Sequence, residues 1–509
     1  MSNSPLKIFI IAILLCAFSA HAMTDKQESK SSTSAKPNIV FIAIDDMNDW
    51  VGFMDGHPQA ITPNMDKLAN DGVAFMNAHS VAPGCSPSRN ALLYGVEPYN
   101  SGLYPFYDFD IHQQLHEKYT SLPRFLKDNG YQTFGSGKIH HGPEYSDLEW
   151  TDYLTKDNSP RTFAKDKGFH TNSKNSFRPT TNPYAELTDY QVASYGIDVI
   201  KNSKKNDKPY FAAIGIVKPH LPFDCPEEFY DALPEKITPP AILASDLNDI
   251  GKEGNSMRRA GDDNKFTNNN QWGDVRKAYL SCISWADYNV GRIMEAVENS
   301  PQADNTIVIL WSDHGFHLGE KRSFKKFTLW EEANRVPFII HDRREKGVAK
   351  GRKVTQAVTL INVYRTLADM AGLTVPEYVD GNSLVPQLLD QSAPVLSPAI
   401  ASWGRGNYAV RTENWRFIQY FNGEQELYNH QKDNNEWHNL ANLPEYKSKV
   451  KELAALLPEN EAPTIEEYIA DWSLFGADKQ RLKKASAEDT NKNKTKKQKK
   501  KANKNPKKL

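Results

Sequence analysis

The sequence predicts an α/β fold, in which helices flank a mostly parallel central sheet and a smaller C-terminal α+β subdomain follows. Two observations favour this class. Apolar runs of strand length alternate with helix-like patterns through most of the chain, which is the rhythm of a parallel sheet covered by helices. Later, YAVRTENWRFIQYF and the residues after it indicate strands, a turn and a closing helix. We therefore expect a main domain over residues 37–380 and a C-terminal subdomain over residues 381–476.

The N-terminus is typical of a secretory signal peptide over residues 1–22. Lys7 gives a weakly positive start, an apolar core follows, and Ala20-His21-Ala22 forms a cleavage site, so we expect cleavage after Ala22. A membrane anchor is the alternative, but the apolar run is too short to span a bilayer. The mature protein is therefore expected to be periplasmic or secreted, without a transmembrane segment.

Two polar segments lie beside the expected domains. Residues 23–36 indicate a polar linker, and residues 477–509 form a lysine-rich tail whose like charges predict disorder. The formal net charge of the whole chain is −1, so the folded body must be acidic. We expect no specific nucleic-acid partner, and we interpret the tail as a tether to a surface or a polyanion.

Few cysteines remain once the signal peptide is removed. Cys85, Cys225 and Cys282 stay in the mature chain, and an odd number argues against a disulfide scaffold. Cys225 and Cys282 either form a disulfide or are two buried free thiols, and we favour the free thiols.

Two of the predicted strands end in residue types that bind metal ions. NIVFIAIDD ends in Asp45 and Asp46, and TIVILWSDHG brings Asp313 and His314 to its end. Ligands of open α/β sheets bind beyond the carboxyl ends of the strands, so these four residues are expected to converge. Three clustered carboxylates need a cation. Their oxygens suit Ca²⁺ or Mg²⁺, while the histidine leaves Zn²⁺ or Mn²⁺ open. The alternative is that each acid caps a helix.

Two further strands end in cations and histidines. YQTFGSGKIHH contains Lys138 and ends in His140 and His141, and YFAAIGIVKPH contains Lys218 and ends in His220. Four charged clusters at the same expected edge of the sheet predict one site there.

A cysteine opens the predicted helix in GCSPSRNALLYG. Pro87 suits the first turn of a helix, which puts Cys85 at its positive end and Arg89 one turn later on the same side. A thiolate nucleophile with a histidine partner and a buried inert cysteine are both consistent with this stretch. Neither explains the acids and histidines that are expected beside it.

The stretch from Cys85 to Arg89, followed by Leu93 and Gly95, resembles the C-x-P-S-R signature of the type I, formylglycine-dependent sulfatases. The resemblance covers most of the mature chain through NIVFIAIDDMN, SGKIHHGP, LWSDHGFHLGEK and ELYNHQKDNNEWHNLA. Within the family the chain is most similar to the iduronate-2-sulfatase branch, because of its Asp-His pair, KPHLPF and K-x-x-H spacing. The resemblance implies the fold of the alkaline-phosphatase superfamily, with a catalytic domain over residues 37–380.

The resemblance also implies a chemistry. Cys85 would be converted by a maturing enzyme to 3-oxoalanine (formylglycine), whose aldehyde hydrate attacks sulfur and later releases sulfate. The implied ligands of Ca²⁺, or alternatively Mg²⁺, are Asp45, Asp46, Asp313, His314 and the modified Cys85. The implied catalytic residues are Cys85, Arg89 beside the hydrate, Lys138, His220 and Lys326 on the sulfate, and His141 as the acid for the leaving alcohol. His140 is the alternative acid and Lys325 the alternative to Lys326, while His317 has no assigned role.

These expectations combine into one function. We expect an exported sulfatase that hydrolyses sulfate esters of a sulfated polysaccharide or oligosaccharide, either an algal glycan such as ulvan, carrageenan or fucan, or a glycosaminoglycan. The stretch GLYPFYDFD either lines the sugar site or is packing. A phosphonate monoester or phosphodiester hydrolase of the same superfamily is one alternative, because the motifs do not show the substrate pocket. A non-catalytic polyanion-binding protein that uses the lysine tail is the other.

Overall fold

The computed structural model describes residues 36–107, 111–142, 146–154, 177–204, 208–344, 350–395, 397–467, 469 and 478. The expected signal peptide lies outside these residues, as do the linker except Lys36 and the lysine-rich tail except Asp478. Within the described ranges, every helix is either too short or too polar to cross a membrane.

The chain alternates strands and helices as the sequence predicts. The described strands are β1 (Asn38–Ile44), β2 (Val73–Phe75), β3 (Ala78–His79), β4 (Gln132–Gly137), β5 (Asp152–Leu154), β6 (Tyr210–Ile216), β7 (Thr306–Ser312), β8 (His317–Leu318), β9 (Phe324–Lys325), β10 (Phe338–Asp342), β11 (Arg352–Val354), β12 (Val358–Thr359), β13 (Ala399–Ser402), β14 (Tyr408–Arg411), β15 (Trp415–Gln419) and β16 (Gln425–Asn429). The described α-helices are α1 (Pro63–Asp71), α2 (Cys85–Tyr94), α3 (Pro98–Ser101), α4 (Ile111–Lys118), α5 (Leu122–Asp128), α6 (Thr188–Asn202), α7 (Glu227–Asp231), α8 (Lys252–Met257), α9 (Ala260–Asn268), α10 (Trp272–Glu298), α11 (Glu331–Asn334), α12 (Asn362–Met370), α13 (Val385–Leu389) and α14 (Lys447–Ala454).

The central sheet has eight strands in the order β11-β2-β10-β7-β1-β6-β4-β5. The neighbours β7, β1, β6, β4 and β5 are parallel, whereas β10 runs antiparallel to both β7 and β2. This arrangement confirms the predicted α/β class with a mostly parallel sheet. It also places the carboxyl ends of β4, β6, β1 and β7 side by side at one edge.

The strand β1 is apolar along its whole length because both of its faces are covered by helices. Val40, Ile42 and Ile44 belong to one buried cluster, together with residues of α1, α6 and α10. Ile39 and Phe41 belong to a second cluster on the other face, with residues of α2, α5 and α12. This two-sided burial holds the middle of the sheet, and therefore the ends of its strands, in a fixed position.

A second, smaller sheet follows. The strands β13, β14, β15 and β16 pair antiparallel in chain order, and α14 contributes Leu453 to their buried face. This sheet confirms the predicted C-terminal subdomain, while its proposed start at residue 381 stays a prediction. Asp478 lies beyond the proposed end at residue 476, yet it is buried and accepts a hydrogen bond from Thr464, so contacts with the folded body extend at least that far.

The two remaining cysteines of the core are free thiols. Cys225 and Cys282 are both buried and unbridged, and the Sγ of Cys225 lies 3.0 Å from the Oγ of Ser281. The structure therefore has the free thiols that the sequence favours.

Candidate active site

The charged clusters of the four parallel strands meet at one edge of the sheet. Asp45 follows β1 and Asp313 follows β7, and their backbone N–H groups continue the ladder to the carbonyls of Ile216 and Ile44. Lys138 follows β4, where Gly137 has a φ of 75° and a Cβ would come within 2.0 Å of a neighbouring carbonyl. Only glycine fits there, so the close turn that presents Lys138 depends on it.

Helix α2 brings the cysteine to this edge. The helix starts at Cys85 after an extended Gly84, and Gly95 ends it in the left-handed conformation at φ 69°. The Oγ of Ser88 donates to the backbone carbonyl of Asp313 at 2.6 Å, which ties the first turn of the helix to the end of β7. Cys85 is therefore fixed at the positive end of the helix and over the strand ends.

The thiol of Cys85 is buried among charged groups. Its Sγ lies 3.2 Å from the Nε2 of His314, 3.0 Å from the Nζ of Lys326 and 3.8 Å from an oxygen of Asp46. Its exposed fraction is 1%, so these contacts are made away from bulk water. An inert core cysteine would contact apolar side chains alone, whereas Cys85 also contacts these charged groups.

A metal-binding set of side chains surrounds the thiol. Ligand atoms of Asp45, Asp46, Cys85 and His314 all lie within 4.8 Å of one another. Asp313 adjoins them, because its Oδ1 lies 3.6 Å from the Nε2 of His314. The Nδ1 of His314 lies 2.9 Å from the carbonyl of Gly315, and this contact directs Nε2 towards the carboxylates. Carboxylate oxygens dominate the set, so the residues fit a hard divalent ion.

Three cations compensate the three carboxylates. Arg89 donates from Nε to Asp313 at 2.7 Å and lies 3.5 Å from Asp45. Lys138 pairs with Asp45 at 2.6 Å, and Lys326 pairs with Asp46 at 2.5 Å. Buried charges are tolerated when they are paired in this way. A divalent ion added to this balanced set would leave a surplus of positive charge, which suits an anionic substrate.

These pairs shift the pKa values of the acids and of His314. Burial alone would raise the pKa of Asp45, but Lys138 and His220 hold it well below its usual value. Burial likewise opposes the charge of Asp313, and Arg89 outweighs it, so the pKa of Asp313 is lowered. Burial would lower the pKa of His314, but the neighbouring carboxylates, with Asp313 first, raise it to about 10. The acids are therefore ionised at neutral pH and available as ligands.

The two neighbouring histidines after β4 face different surroundings. The Nε2 of His140 lies 3.0 Å and 3.1 Å from the two oxygens of buried Glu149, away from the thiol. His141 packs edge-on against Phe106 at 4.9 Å, and its Nδ1 is buried without a hydrogen-bond partner among the described residues. Burial and then Lys138 lower the pKa of His141 to about 3. His141 is thus the histidine that shares the electrostatic field of the site.

The loop after β6 carries His220 to the same edge. Both carboxylate oxygens of Asp189 accept backbone N–H groups of this loop, from Val217 at 2.8 Å and from Lys218 at 3.0 Å. The Nε2 of His220 then lies 3.9 Å from Asp46. The side chain of Lys218 turns away from the site to Asp224.

The two neighbouring lysines at the end of β9 have different partners. Lys325 pairs with Asp262 at 3.3 Å, whereas Lys326 reaches Cys85 and Asp46. His317 is buried, and its Nε2 lies 2.7 Å from the hydroxyl of Thr328.

Several contributors to the site were missed in the sequence analysis. Tyr279 donates from its hydroxyl to the backbone carbonyl of Asp46 at 2.8 Å, and Trp403 stacks on Phe327 at 5.0 Å beside the thiol. Glu149 anchors His140. Tyr279 and Glu149 follow no strand end or motif, and Trp403 follows β13 of the smaller sheet, so no local signal marks them as part of this site. Phe106 lies in the stretch GLYPFYDFD, which had been left between a sugar-site and a packing interpretation, and residues 108–110 of that stretch lie outside the described residues.

Comparisons with known proteins agree with this geometry. A family model described as Sulfatase matches residues 37–373, and one described as N-sulphoglucosamine sulphohydrolase, C-terminal, matches residues 319–462. A sulfatase of Formosa agariphila is 34% identical over 478 residues, which cover 89% of this chain and 92% of that protein. Iduronate 2-sulfatase of Mus musculus is 28% identical over 403 residues, which cover 70% of this chain and 72% of that protein.

Two solved structures share the fold. A protein in complex with its substrate D-glucosamine-2-N,6-O-disulfate superposes with a TM-score of 0.65 at 22% identity, covering 83% of this chain and 97% of that one. The phosphonate monoester hydrolase of Agrobacterium radiobacter gives a TM-score of 0.65 at 19% identity, covering 82% of this chain and 94% of that one. At these identities the two likenesses speak for the fold alone.

Proposed function

The chain belongs to the sulfatase family and is a sulfuric ester hydrolase, and from that premise we propose that it is an exported enzyme that removes sulfate from a sulfated polysaccharide or oligosaccharide. The observation that carries the proposal is the position of Cys85. The contacts of this thiol at a helix N-terminus with Lys326, His314 and Asp46 support its proposed conversion to formylglycine, whose hydrate would attack an anionic centre held among these groups.

The proposal assigns the cations to the sulfate group. The Nζ of Lys326 contacts residue 85 at 3.0 Å, Lys138 lies 2.6 Å from Asp45, and His220 lies 3.9 Å from Asp46. Donors fixed in place before the reaction stabilise charge on the sulfate oxygens without having to reorient. Arg89 contacts both Asp313 and Asp45 and so fixes the positions of two carboxylates in the group around residue 85.

The proton for the leaving alcohol is assigned to His141. Its ring is neutral in the free protein because burial and Lys138 hold its pKa at about 3. The negative charge of a bound sulfate ester would offset the nearby cations and raise the pKa of His141, so that proton donation becomes coupled to substrate binding. His140 is unsuited to this role, because Glu149 engages its Nε2.

The proposal includes Ca²⁺, with Mg²⁺ as the alternative ion, held by Asp45, Asp46, Asp313, His314 and the modified Cys85. Such an ion supplies positive charge that polarises the sulfate oxygens. The formylglycine, made by a separate maturing enzyme, supplies a hydrated aldehyde with two hydroxyl groups, of which one can act as nucleophile.

The glycan class rests on the relatives and on the shape of the site. One relative is named for a sulfated sugar, iduronate 2-sulfate. Phe106, Phe327 and Trp403 form an aromatic wall beside Cys85 and His141, and Phe106 and Trp403 would both contact a Cβ at Gly84. All three rings are buried, so they pack around Cys85 and His141 and shape the apolar side of the site.

One comparison of substrates tests the proposal against its alternatives. The matured enzyme is assayed for release of product from an aryl sulfate, an aryl phosphodiester and an aryl phosphonate monoester, and for release of inorganic sulfate from a panel of defined sulfated oligosaccharides. We expect kcat/KM for the sulfate to exceed that for the phosphorus esters by roughly 100-fold or more. The variant Cys85→Ala should fall to background on all of them. A preference for the phosphorus esters would favour the phosphonate hydrolase, and no turnover of any ester would favour a polyanion-binding protein.

A further inference from the structure

Arg259 lies near the candidate active site, and no acid of the described part of the chain forms an ion pair with it. It lies between α8 and α9, and its guanidinium carbon sits 4.8 Å from the centroid of the Phe327 ring. Its Nε is shielded from solvent and has no hydrogen-bond partner within the described ranges, where no carboxylate comes within 4.0 Å of its nitrogens either. The acid that acts on it most, Asp262, is already paired with Lys325 at 3.3 Å.

The neighbouring arginines differ from Arg259 because their side chains are engaged. Arg258 donates to Asn255 at 3.1 Å and to the backbone carbonyl of Arg322 at 3.2 Å. Arg322 pairs with Asp263 at 3.0 Å. The cluster of Arg258, Arg259, Arg322 and Lys325 thus contains four cations against two acids.

The ring under Arg259 connects it to the reaction centre. Phe327 follows Lys326 in the chain, and its backbone N–H donates to the carbonyl of Pro83 at 3.0 Å, two residues before Cys85. The Nζ of Lys326 lies 5.7 Å from the centroid of the same ring and 3.0 Å from the thiol. Arg259 and the proposed sulfate-binding lysine therefore both lie beside the Phe327 ring, 4.8 Å and 5.7 Å from its centroid.

We propose that Arg259 binds a second anionic group of the substrate, a carboxylate or a further sulfate on the sulfated sugar or its neighbour, and so selects glycans that carry more than one negative charge. This inference rests on the proposed glycan substrate. A sugar bound with its reacting sulfate at Lys326 would bring such a group near the guanidinium, because both cations lie beside the Phe327 ring. A fork of N–H donors over an aromatic face binds a planar or tetrahedral oxyanion through paired hydrogen bonds.

The experiment compares Arg259→Gln with wild type on four substrates: an aryl sulfate, a monosulfated neutral disaccharide, a monosulfated disaccharide with a uronic acid, and a disulfated disaccharide without one. We expect KM to rise roughly 10- to 100-fold on at least one of the two doubly charged sugars, the loss expected for hydrogen bonds to a charged group, with kcat nearly unchanged. The aryl sulfate and the neutral disaccharide should be unaffected. Whichever doubly charged sugar shows the loss identifies the group as carboxylate or sulfate.

Matched variants separate binding from structure. Arg258→Gln removes an adjacent positive charge whose guanidinium is already engaged, so its effect on KM should stay below roughly 3-fold on every substrate. Arg259→Lys should recover part of the loss, because it restores the charge but not the fork. An equal loss on all four substrates, or no loss on either doubly charged sugar, would overturn the role of Arg259 alone. Wild-type enzyme that hydrolyses the aryl sulfate but none of the three sugars would overturn the proposed glycan function and this inference with it.

Discussion

Replacement of Arg89 by Met should destabilise the protein far more than removal of a surface arginine. The side chain is completely buried and lies against Asp313 at 2.7 Å, Asp45 at 3.5 Å and the backbone carbonyls of Lys138 at 2.5 Å and Ile139 at 3.0 Å. Methionine fills a similar volume but leaves two buried carboxylates and two carbonyls without this donor. Breaking a buried ion pair from one side lowers the free energy of unfolding by about 4 kcal/mol.

The assay is denaturant unfolding in the presence of a chelator, so that metal binding does not contribute to the difference. Arg89→Lys keeps the positive charge but loses the several N–H donors of the guanidinium, and we expect the free energy of unfolding to decrease by about 2 kcal/mol. Arg405→Met is the matched control, because Arg405 pairs with Glu461 at 3.3 Å with both side chains about one third exposed, and we expect less than about 1 kcal/mol there. A loss at Arg89 no greater than that at Arg405 would refute the claim that this arginine holds the carboxylates together.

Three further predictions address the metal, the histidine anchor and the tail. A chelator should abolish turnover, and Ca²⁺ should restore it best. The variant Asp313→Asn should bind calcium more weakly in calorimetry while keeping the circular-dichroism spectrum of the folded protein. Full activity of a metal-stripped sample would contradict this prediction. Burial would raise the pKa of Glu149, but His140 lowers it to about 2, so its charge stabilises the fold above its unfolded pKa and ceases to do so as the pH falls. In denaturant titrations, the difference in the free energy of unfolding between wild type and Glu149→Gln should therefore shrink by about 3 kcal/mol from about pH 5 towards pH 2. A difference that does not change with pH would show that Glu149 is not held as a charged group by His140. Residues 491–509 lie beyond Asp478 and contain almost no apolar side chains. Their removal should leave turnover of an aryl sulfate unchanged and reduce only the salt-sensitive activity on polyanionic polymers. A truncated chain that does not fold would show that the tail is structural.

The strand ends were the most predictable part of the molecule. Asp45, Lys138 and Asp313 each follow a run of apolar residues, and the carboxyl ends of neighbouring parallel strands must share an edge. The helix start at Cys85 was equally readable, because Pro87 and Gly95 mark the two ends of α2. These local signals were sufficient to predict the α/β class and to bring most of the candidate residues together.

Contacts made across the fold could not be read from the chain. Trp403 reaches Phe327 from the C-terminal subdomain, and Glu149 anchors His140 through a loop, so neither partner is marked by spacing. Arg259 looks like one of several arginines in a polar stretch, and only the structure shows that Arg258 and Arg322 are engaged while the Nε of Arg259 has no hydrogen-bond partner among the described residues. Asp478 was assigned to the tail because the composition changes there, although one hydrogen bond from Thr464 holds it to the body.

The state of residue 85 in active enzyme tests the central claim most directly. Protein produced together with a maturing enzyme is digested, and the peptide that contains residue 85 is weighed by mass spectrometry while sulfate release is measured on the same preparation. The account predicts the mass loss that accompanies conversion of the thiol to an aldehyde, and a specific activity proportional to the converted fraction across preparations. Full sulfatase activity in a preparation that contains only unmodified Cys85 would contradict it.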